Sequence, residues 1–335
     1  MNYNKLEINV KKTCSYKYFL LTFDDNYANV AIGLMKSLIC NTSKELCFII
    51  MTKSLNENSI SKLKETLLPT IIYYVDKDLF NYFNSNWPID STFRLIAPWV
   101  IEEKMDYLYY LDADILCVSN IDDLFKIRFS QSIALCPEIS ANAVSNALGT
   151  DLVYCNSGFL IYNISRLKTI YDMNSLLDEF NKISKDLKFP DQDFINLYYK
   201  NDCLYLNPFK YNNQIYDFYN KHLVKKFLRN AMFVHFCVVK GKPWNTNSTL
   251  ARYNIYLKYS KDSYMRRIVT RCKRIYLIKY PFSKLYSISY RIIKKIYKCI
   301  FKVDRRRKYV GGVQSLTFNF DFVPLPRLCL SMEVI

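Results

Sequence analysis

Residues 107–118 read YLYYLDADILCV. A short, continuous apolar and aromatic run leads into Asp112, and Asp114 follows one residue later. Such a run, ended by a turn, is the pattern of a strand buried on both faces. A buried, unpaired carboxylate is costly, and two adjacent ones repel each other. The pair is therefore expected where the strand ends and the sheet opens. Two carboxylates around one small residue, Ala113, can share a divalent cation, which neutralises both and binds diphosphate oxygens. The plainer alternative is an ordinary surface turn.

Working outward, the same buried pattern recurs at YFLLTF (18–23), LCFIIM (46–51) and IIYYV (71–75). Helical spacing falls between these runs: NVAIGLMKSLI (29–39), SLNENSISKLKETL (54–67) and STFRLIAPWVIEE (91–103), the last expected to be kinked or interrupted by Pro98. Strands alternating with helices predict a parallel, doubly wound α/β sheet. Ligands bind beyond the carboxyl ends of such strands. Asp24, Asp25 and Asn26 sit after the first strand, as Asp112 and Asp114 do after the fourth. Further on, SIALCPE (132–138), GFLIYNI (158–164) and AMFVHFC (231–237) read as strands. Residues 165–187 read as one helix capped by Ser165, and 191–200 as another with Pro190 just ahead of it.

The net charge of +17 is concentrated. Residues 261–308 hold 17 Lys or Arg against Asp262 and Asp304, which leaves about +2 for the rest of the chain. A basic appendage suggests a tether, whereas a uniformly basic domain would suggest nucleic acid. The 11 cysteines form no CxxC pair, so neither a zinc site nor a disulfide framework is expected. The first residues lack a signal-peptide pattern, and no run is apolar for long enough to span a bilayer. A reducing, cytoplasmic location fits these features.

Three further clusters could carry chemistry. His235, in FVHFCVVKGKPW (233–244), ends an apolar strand. It is either a core histidine bonded to backbone or a neutral imidazole ligand beside carboxylates, which suits Mn²⁺ better than Ca²⁺. The Lys240–Trp244 stretch after it could close over a diphosphate leaving group. His222 reads as a surface residue. CNSGFLIYN (155–163) places Asn156, Ser157 and Gly158 ahead of a strand, either as a plain turn or as a close backbone approach to a sugar. FPDQDFIN (189–196) sets Asp191, Gln192 and Asp193 at a helix start, where dipole complementarity alone would explain the acids. The alternative is recognition of sugar hydroxyls and of an oxocarbenium-like centre.

Taken in order, LTFDDNYANVAIGLMKSL, FRLIAPWVIEEKMDYLYYLDADILCVSNIDDLF, YCNSGFLIYNI, FPDQDFIN and FVHFCVVKGKPW resemble glycosyltransferase family 8. That family includes bacterial lipopolysaccharide galactosyl- and glucosyltransferases and the glycogenins. The resemblance covers roughly residues 16–250. It implies a GT-A fold, a Rossmann-like mixed sheet flanked by helices. It further implies a UDP-hexose donor, a saccharide or lipid-linked saccharide acceptor, retention of anomeric configuration, and Mn²⁺ with Mg²⁺ as the alternative. By position, Asp112, Asp114 and His235 look like the metal ligands, and Asp24 and Asn26 like contacts to uracil and ribose. Arg94 looks like the donor-binding arginine, Asn156, Asp191 and Gln192 like the residues around the transferring sugar, and Lys242 like the diphosphate contact. One departure is HFCV, where Val238 stands at a place the family often gives to glycine; Gly241 is the candidate substitute.

The expected organisation is a catalytic domain over 1–255, a basic membrane-associating segment over 256–310 and a tail over 311–335. Within SKLYSISYRIIKKIYKCIFK (283–302), cations fall on one helical arc and Ile, Leu and Cys on the rest, a pattern that lies in an anionic interface. The chain therefore reads as a peripheral transferase on the inner face of the cytoplasmic membrane, extending a surface glycan such as lipopolysaccharide or lipooligosaccharide. Two alternatives are a glycogenin-like self-glucosylating protein and a non-catalytic basic protein that binds nucleic acid or membrane.

Overall fold

In the computed structural model, residues 4–12, 15–75, 89–139, 153–215, 226–237 and 241–280 are described. The main sheet has eight strands: β1 (Asn4–Ile8), β2 (Lys17–Thr22), β3 (Leu46–Thr52), β4 (Thr70–Tyr74), β5 (Tyr107–Leu111), β7 (Ile133–Pro137), β8 (Cys155–Asn163) and β9 (Cys203–Tyr205). Their order is β1-β4-β3-β2-β5-β8-β7-β9. The four strands read from buried runs, β2 to β5, are parallel to one another, as expected. The whole sheet is mixed, because β1 and β8 run antiparallel to their neighbours β4 and β5. A second sheet, in the order β10-β11-β6, joins β6 (Ile115–Cys117), β10 (Asn213–Gln214) and β11 (Phe233–His235).

Strand period two splits the core cleanly. Phe19, Leu21, Phe48, Ile50, Tyr109 and Leu111 face one side, where α1 (Ala28–Ile39) and α2 (Glu57–Glu65) pack. Leu20, Ile49, Met51, Leu108 and Tyr110 face the other. That side is covered by α3 (Ile89–Val100), α4 (Ile164–Ile170), α5 (Met173–Ile183) and α6 (Pro190–Tyr198).

Several local expectations are corrected. Helix α3 continues through Pro98, whose missing N–H would have bonded the carbonyl of Arg94. That carbonyl instead accepts the Tyr162 hydroxyl at 2.9 Å, so the proline costs no hydrogen bond and ties the helix to β8. The helix expected over 165–187 breaks into α4 and α5, followed by a 3₁₀ turn. Asn163, not Ser165, caps α4, and Asp172 caps α5 by accepting from Ser175 N at 3.0 Å. A side-chain acceptor at 172 offers the chain a fresh helix start. Pro190 is the first residue of α6 rather than its predecessor. Asn156, Ser157 and Gly158 lie within β8, at a register shift opposite Leu135 and Cys136, and not in a turn before it.

The boundary expected at 255 also moves. The compact unit runs to Tyr280. Helix α7 (Leu250–Tyr259) and a helix over 263–280 bring Tyr253, Tyr256, Met265, Val269 and Cys272 into a third core cluster with Leu116 and Val234. Arg266, Arg267, Arg271 and Arg274 occupy the exposed side of that helix. The amphipathic stretch 283–302 and the tail 311–335 lie outside the described residues, as do His222, Val238 and Lys240. No described helix is long and apolar enough to cross a membrane.

Met265 is 2% exposed within this cluster. Met265→Ala is expected to lower the unfolding free energy by about 2–5 kcal/mol, the cost of emptying a closed core site. Urea unfolding measures it; a loss below about 0.5 kcal/mol would place 263–280 outside the core.

Candidate active site

The Asp112–Asp114 turn is the corner at which the chain leaves the main sheet and enters the small one. Asp112 N donates to Gly158 O on β8 at 2.8 Å, and Ile115 N to Asp112 O at 3.0 Å. In the small sheet β11 runs antiparallel to β6, with His235 opposite Ile115. That register sets the imidazole beside the acids. His235 Nε2 lies 3.1 Å from Asp114 Oδ1 and 3.7 Å from Asp112 Oδ2. One ligand atom from each of the three residues falls within 4.8 Å of the others. Two carboxylate oxygens and an imidazole nitrogen form a donor set that could hold a divalent cation. Asp114 Oδ1 is buried and, among the described residues, has no hydrogen-bond donor assigned to it. An acceptor of this kind, facing a ring nitrogen, fits a shared cation.

Each acid has its own compensation. Asp112 Oδ1 accepts from Tyr110 Oη at 2.5 Å and lies 3.0 Å from Arg94 Nη1. Arg94 is buried, stacks over the Tyr110 ring at 4.5 Å and also donates to Ser157 O. Its Nε is 3.3 Å from Asp191 Oδ2, so one guanidinium joins the DAD corner to the first turn of α6. Burial raises the Asp191 carboxyl above its usual range, and Arg94 offsets this only in part. For Asp114, burial also pushes upward, but the Lys242 ammonium paired with Oδ2 and the neighbouring His235 prevail and hold the carboxyl below the ordinary range. Lys242 was expected on a flexible closing loop. It is instead buried, 6% exposed, because Asp114 retains it there.

Gln192 is similarly constrained. Its Oε1 accepts from Asn156 Nδ2 and Ser157 N, both at 3.1 Å, and its Nε2 donates to Tyr154 Oη at 2.8 Å. Asp193 reaches back to the start of its helix, accepting from Phe189 N, and takes the Tyr154 hydroxyl as a second donor. A Cβ on Gly158 would stand 2.4 Å from His235 Cε1 and 2.9 Å from Asp112 Oδ2, so only glycine leaves the cluster intact.

Beyond β2, Asp24 accepts from Asn26 N at 3.0 Å and Asn26 Nδ2 at 2.9 Å, which locks a compact turn. Asp25 departs from the expected substrate role: its Oδ1 accepts from Asn56 N and Ser59 Oγ and holds the start of α2. Gly241 packs against the buried Arg252, where a Cβ would meet Nη1. Sequence reasoning missed Tyr110, Glu138, Tyr154 and Asn212, all joined to the site by hydrogen bonds. The available signal was polar residues embedded in buried runs, as in KYNNQIY (210–216).

The sequence profile described as Glycosyl transferase family 8 matches residues 19–248. The chain belongs to glycosyltransferase family 8. Among relatives of this family, a lipopolysaccharide 1,2-glucosyltransferase of Escherichia coli is 26% identical over 312 residues, covering 85% of this chain and 82% of that protein. A lipopolysaccharide 1,3-galactosyltransferase of Salmonella typhimurium is 24% identical, covering 71% and 78%. The solved galactosyltransferase LgtC, in complex with donor and acceptor sugar analogs, superposes with a TM-score of 0.59 at 18% identity, covering 75% of this chain and 99% of that one. At that identity the likeness shows the fold, which is GT-A. The protein is a glycosyltransferase.

Arg94 carries the sharpest stability prediction. Arg94→Met strands Asp112 and Asp191 beside each other without their shared cation, at a cost of about 3–5 kcal/mol. Arg94→Lys should recover little, since an ammonium cannot bridge two carboxylates while stacking on Tyr110. Denaturant unfolding of both variants decides it; a loss below about 1 kcal/mol in Arg94→Met would show that the bridge contributes nothing beyond a surface pair.

Proposed function

We propose that the protein is a metal-dependent, retaining hexosyltransferase. It takes a UDP-hexose and extends a saccharide or lipid-linked saccharide acceptor of lipopolysaccharide, lipooligosaccharide or another surface glycan. The observation that carries the reading is the Asp112–Asp114–His235 cluster, assembled from two sheets beyond the carboxyl ends of parallel strands. The activities for which the enterobacterial relatives are named support the acceptor class.

Asp112, Asp114 and His235 would hold Mn²⁺, or Mg²⁺ as the alternative. When bound, the ion supplies positive charge to the diphosphate oxygens of the leaving nucleotide. Lys242, already beside Asp114, adds a second cation on that side. Asp24 and Asn26 stand past β2, where a nucleoside would lie, and Asn156, Ser157, Asp191 and Gln192 surround the place for the sugar. A double displacement needs a nucleophile on the face opposite the leaving group. Gln192 is an amide with both its polar ends engaged, and Asp191 is paired with Arg94. Substitution on the same face therefore fits these residues better, with the departing phosphate taking the acceptor proton.

The decisive measurement is UDP-hexose hydrolysis with and without Mn²⁺. Wild-type turnover should depend on the metal, and Asp114→Asn should lower it at least about 100-fold, since it removes one ligand charge and the partner of Lys242. Turnover indifferent to both changes would remove the reading.

Membrane association is proposed on charge. Lys261, Arg266, Arg267, Arg271 and Arg274 line one groove on the outer side of the 263–280 helix, while the apolar side of that helix is spent on the protein core. Contact along that groove is thus electrostatic, and apolar anchorage falls to the exposed Leu277, Ile278 and Tyr280 at the end of the helix and to the sequence beyond 280. The full chain should sediment with anionic vesicles and be released by salt. A chain ending at Tyr280 should bind at least about tenfold more weakly, having lost the amphipathic 283–302 stretch. Equal binding by both chains would overturn the assignment of an anchor to the C-terminal segment.

A further inference from the structure

A chain of hydrogen bonds behind the acid cluster determines which nitrogen of His235 carries its proton. It starts at a group whose polarity is beyond doubt, the backbone N–H of Gly158, which donates to Asn156 Oδ1 at 3.0 Å. That position on Asn156 must therefore be the oxygen. The opposite end of the Asn156 amide agrees: its Nδ2 donates to Glu138 Oε2 at 3.2 Å and to Gln192 Oε1 at 3.1 Å. Asn156 Oδ1 accepts a second bond from Asn212 at 2.9 Å, so the Asn212 atom facing it must be the NH₂. The other Asn212 atom is then the carbonyl oxygen, and it lies 2.9 Å from His235 Nδ1. An oxygen there accepts, so Nδ1 must donate. In the neutral ring this leaves the lone pair on Nε2, the nitrogen turned toward Asp114 Oδ1 and Asp112 Oδ2.

The surroundings keep the relay from slipping. Asn212 is fully buried, and His235 is 2% exposed. Asn212 immediately precedes β10, whose parallel pairing with β11 places Gln214 opposite His235. Its backbone N–H is also held by Pro208 O at 3.0 Å. Without the relay the local electrostatics would favour the other tautomer, because an Nε2–H would lie beside two carboxylates, 3.1 and 3.7 Å from their oxygens. A proton there would occupy the nitrogen that a cation needs.

We infer that Asn212 is a positioning residue that, anchored through Asn156 to the Gly158 amide, holds His235 in the Nδ1–H tautomer and so presents Nε2 as the third ligand of the Asp112–Asp114 site. The inference rests on the metal reading for its consequence, but the tautomer itself can be read without any metal. The sequence holds two histidines, so a His222→Asn chain assigns the His235 signals in a long-range ¹H–¹⁵N spectrum of ¹⁵N-histidine-labelled protein.

At a pH where the spectrum itself shows a neutral His235 ring, the metal-free protein should show the proton on Nδ1. Asn212→Leu should move it to Nε2 and weaken Mn²⁺ binding, measured by calorimetry, about 10- to 100-fold. Asn212→Asp keeps an acceptor for Nδ1 while giving up the donor to Asn156, and should retain the Nδ1 proton. An Nε2–H in the unsubstituted ring or in Asn212→Asp, or an Asn212→Leu protein with tautomer and affinity unchanged, would overturn the relay. Wild-type protein that binds no Mn²⁺ would overturn the metal reading instead, and the tautomer would still decide the relay.

Discussion

Two carboxylates one residue apart at a corner between two sheets form the constraint around which this molecule is organised. Asp112 and Asp114 emerge where the main sheet ends, and neither is tolerable there alone. The two charges are met from different directions. Arg94 and Tyr110 take Asp112 from the helical side of the main sheet, while Lys242 and His235 take Asp114 from the small sheet. Removing any one of these partners leaves the others facing an unbalanced charge. The site is therefore as much a folding problem as a catalytic one.

The supports reach well beyond the acids. Pro98 frees the carbonyl of Arg94 for the Tyr162 hydroxyl, so a residue that normally ends a helix helps to fix the arginine that bridges Asp112 and Asp191. Gly158 permits β8 to pass close to His235 and Asp112, and its N–H begins the relay that orients the imidazole. Gln192 sits in a comparable frame, with Asn156, Ser157 and Tyr154 around its amide. Such a frame fixes the direction of its polar groups in advance.

Much of this was legible in advance, and the exceptions have a common cause. The strands at 17–22, 46–52, 70–74 and 107–111 are buried on both faces, and a run of apolar residues is all that such strands require. Placing the ligand end of the sheet followed directly. The break between α4 and α5 was hidden because Asp172 acts through its side chain, against a hydrophobic pattern that continues across it. Asp25 looked equivalent to Asp24, yet its carboxylate belongs to α2, a partner some thirty residues away. The 255 boundary followed charge, whereas the core followed Met265, Val269 and Cys272, which recur at helical spacing beneath a basic surface.

The sequence by itself determined the elements of the central sheet, the position of the acids at its open end, and the membership of an ordered set of motifs spread over more than two hundred residues. Local hydrophobic periodicity and residue type suffice for that. Tertiary structure alone decided that Ile115 and His235 pair across a second sheet, that Lys242 is buried against Asp114, and that Asn212 turns the imidazole. Those outcomes depend on strand register and on the direction of single hydrogen bonds between residues far apart in the chain. No local pattern encodes such geometry; it exists only once the two sheets have met.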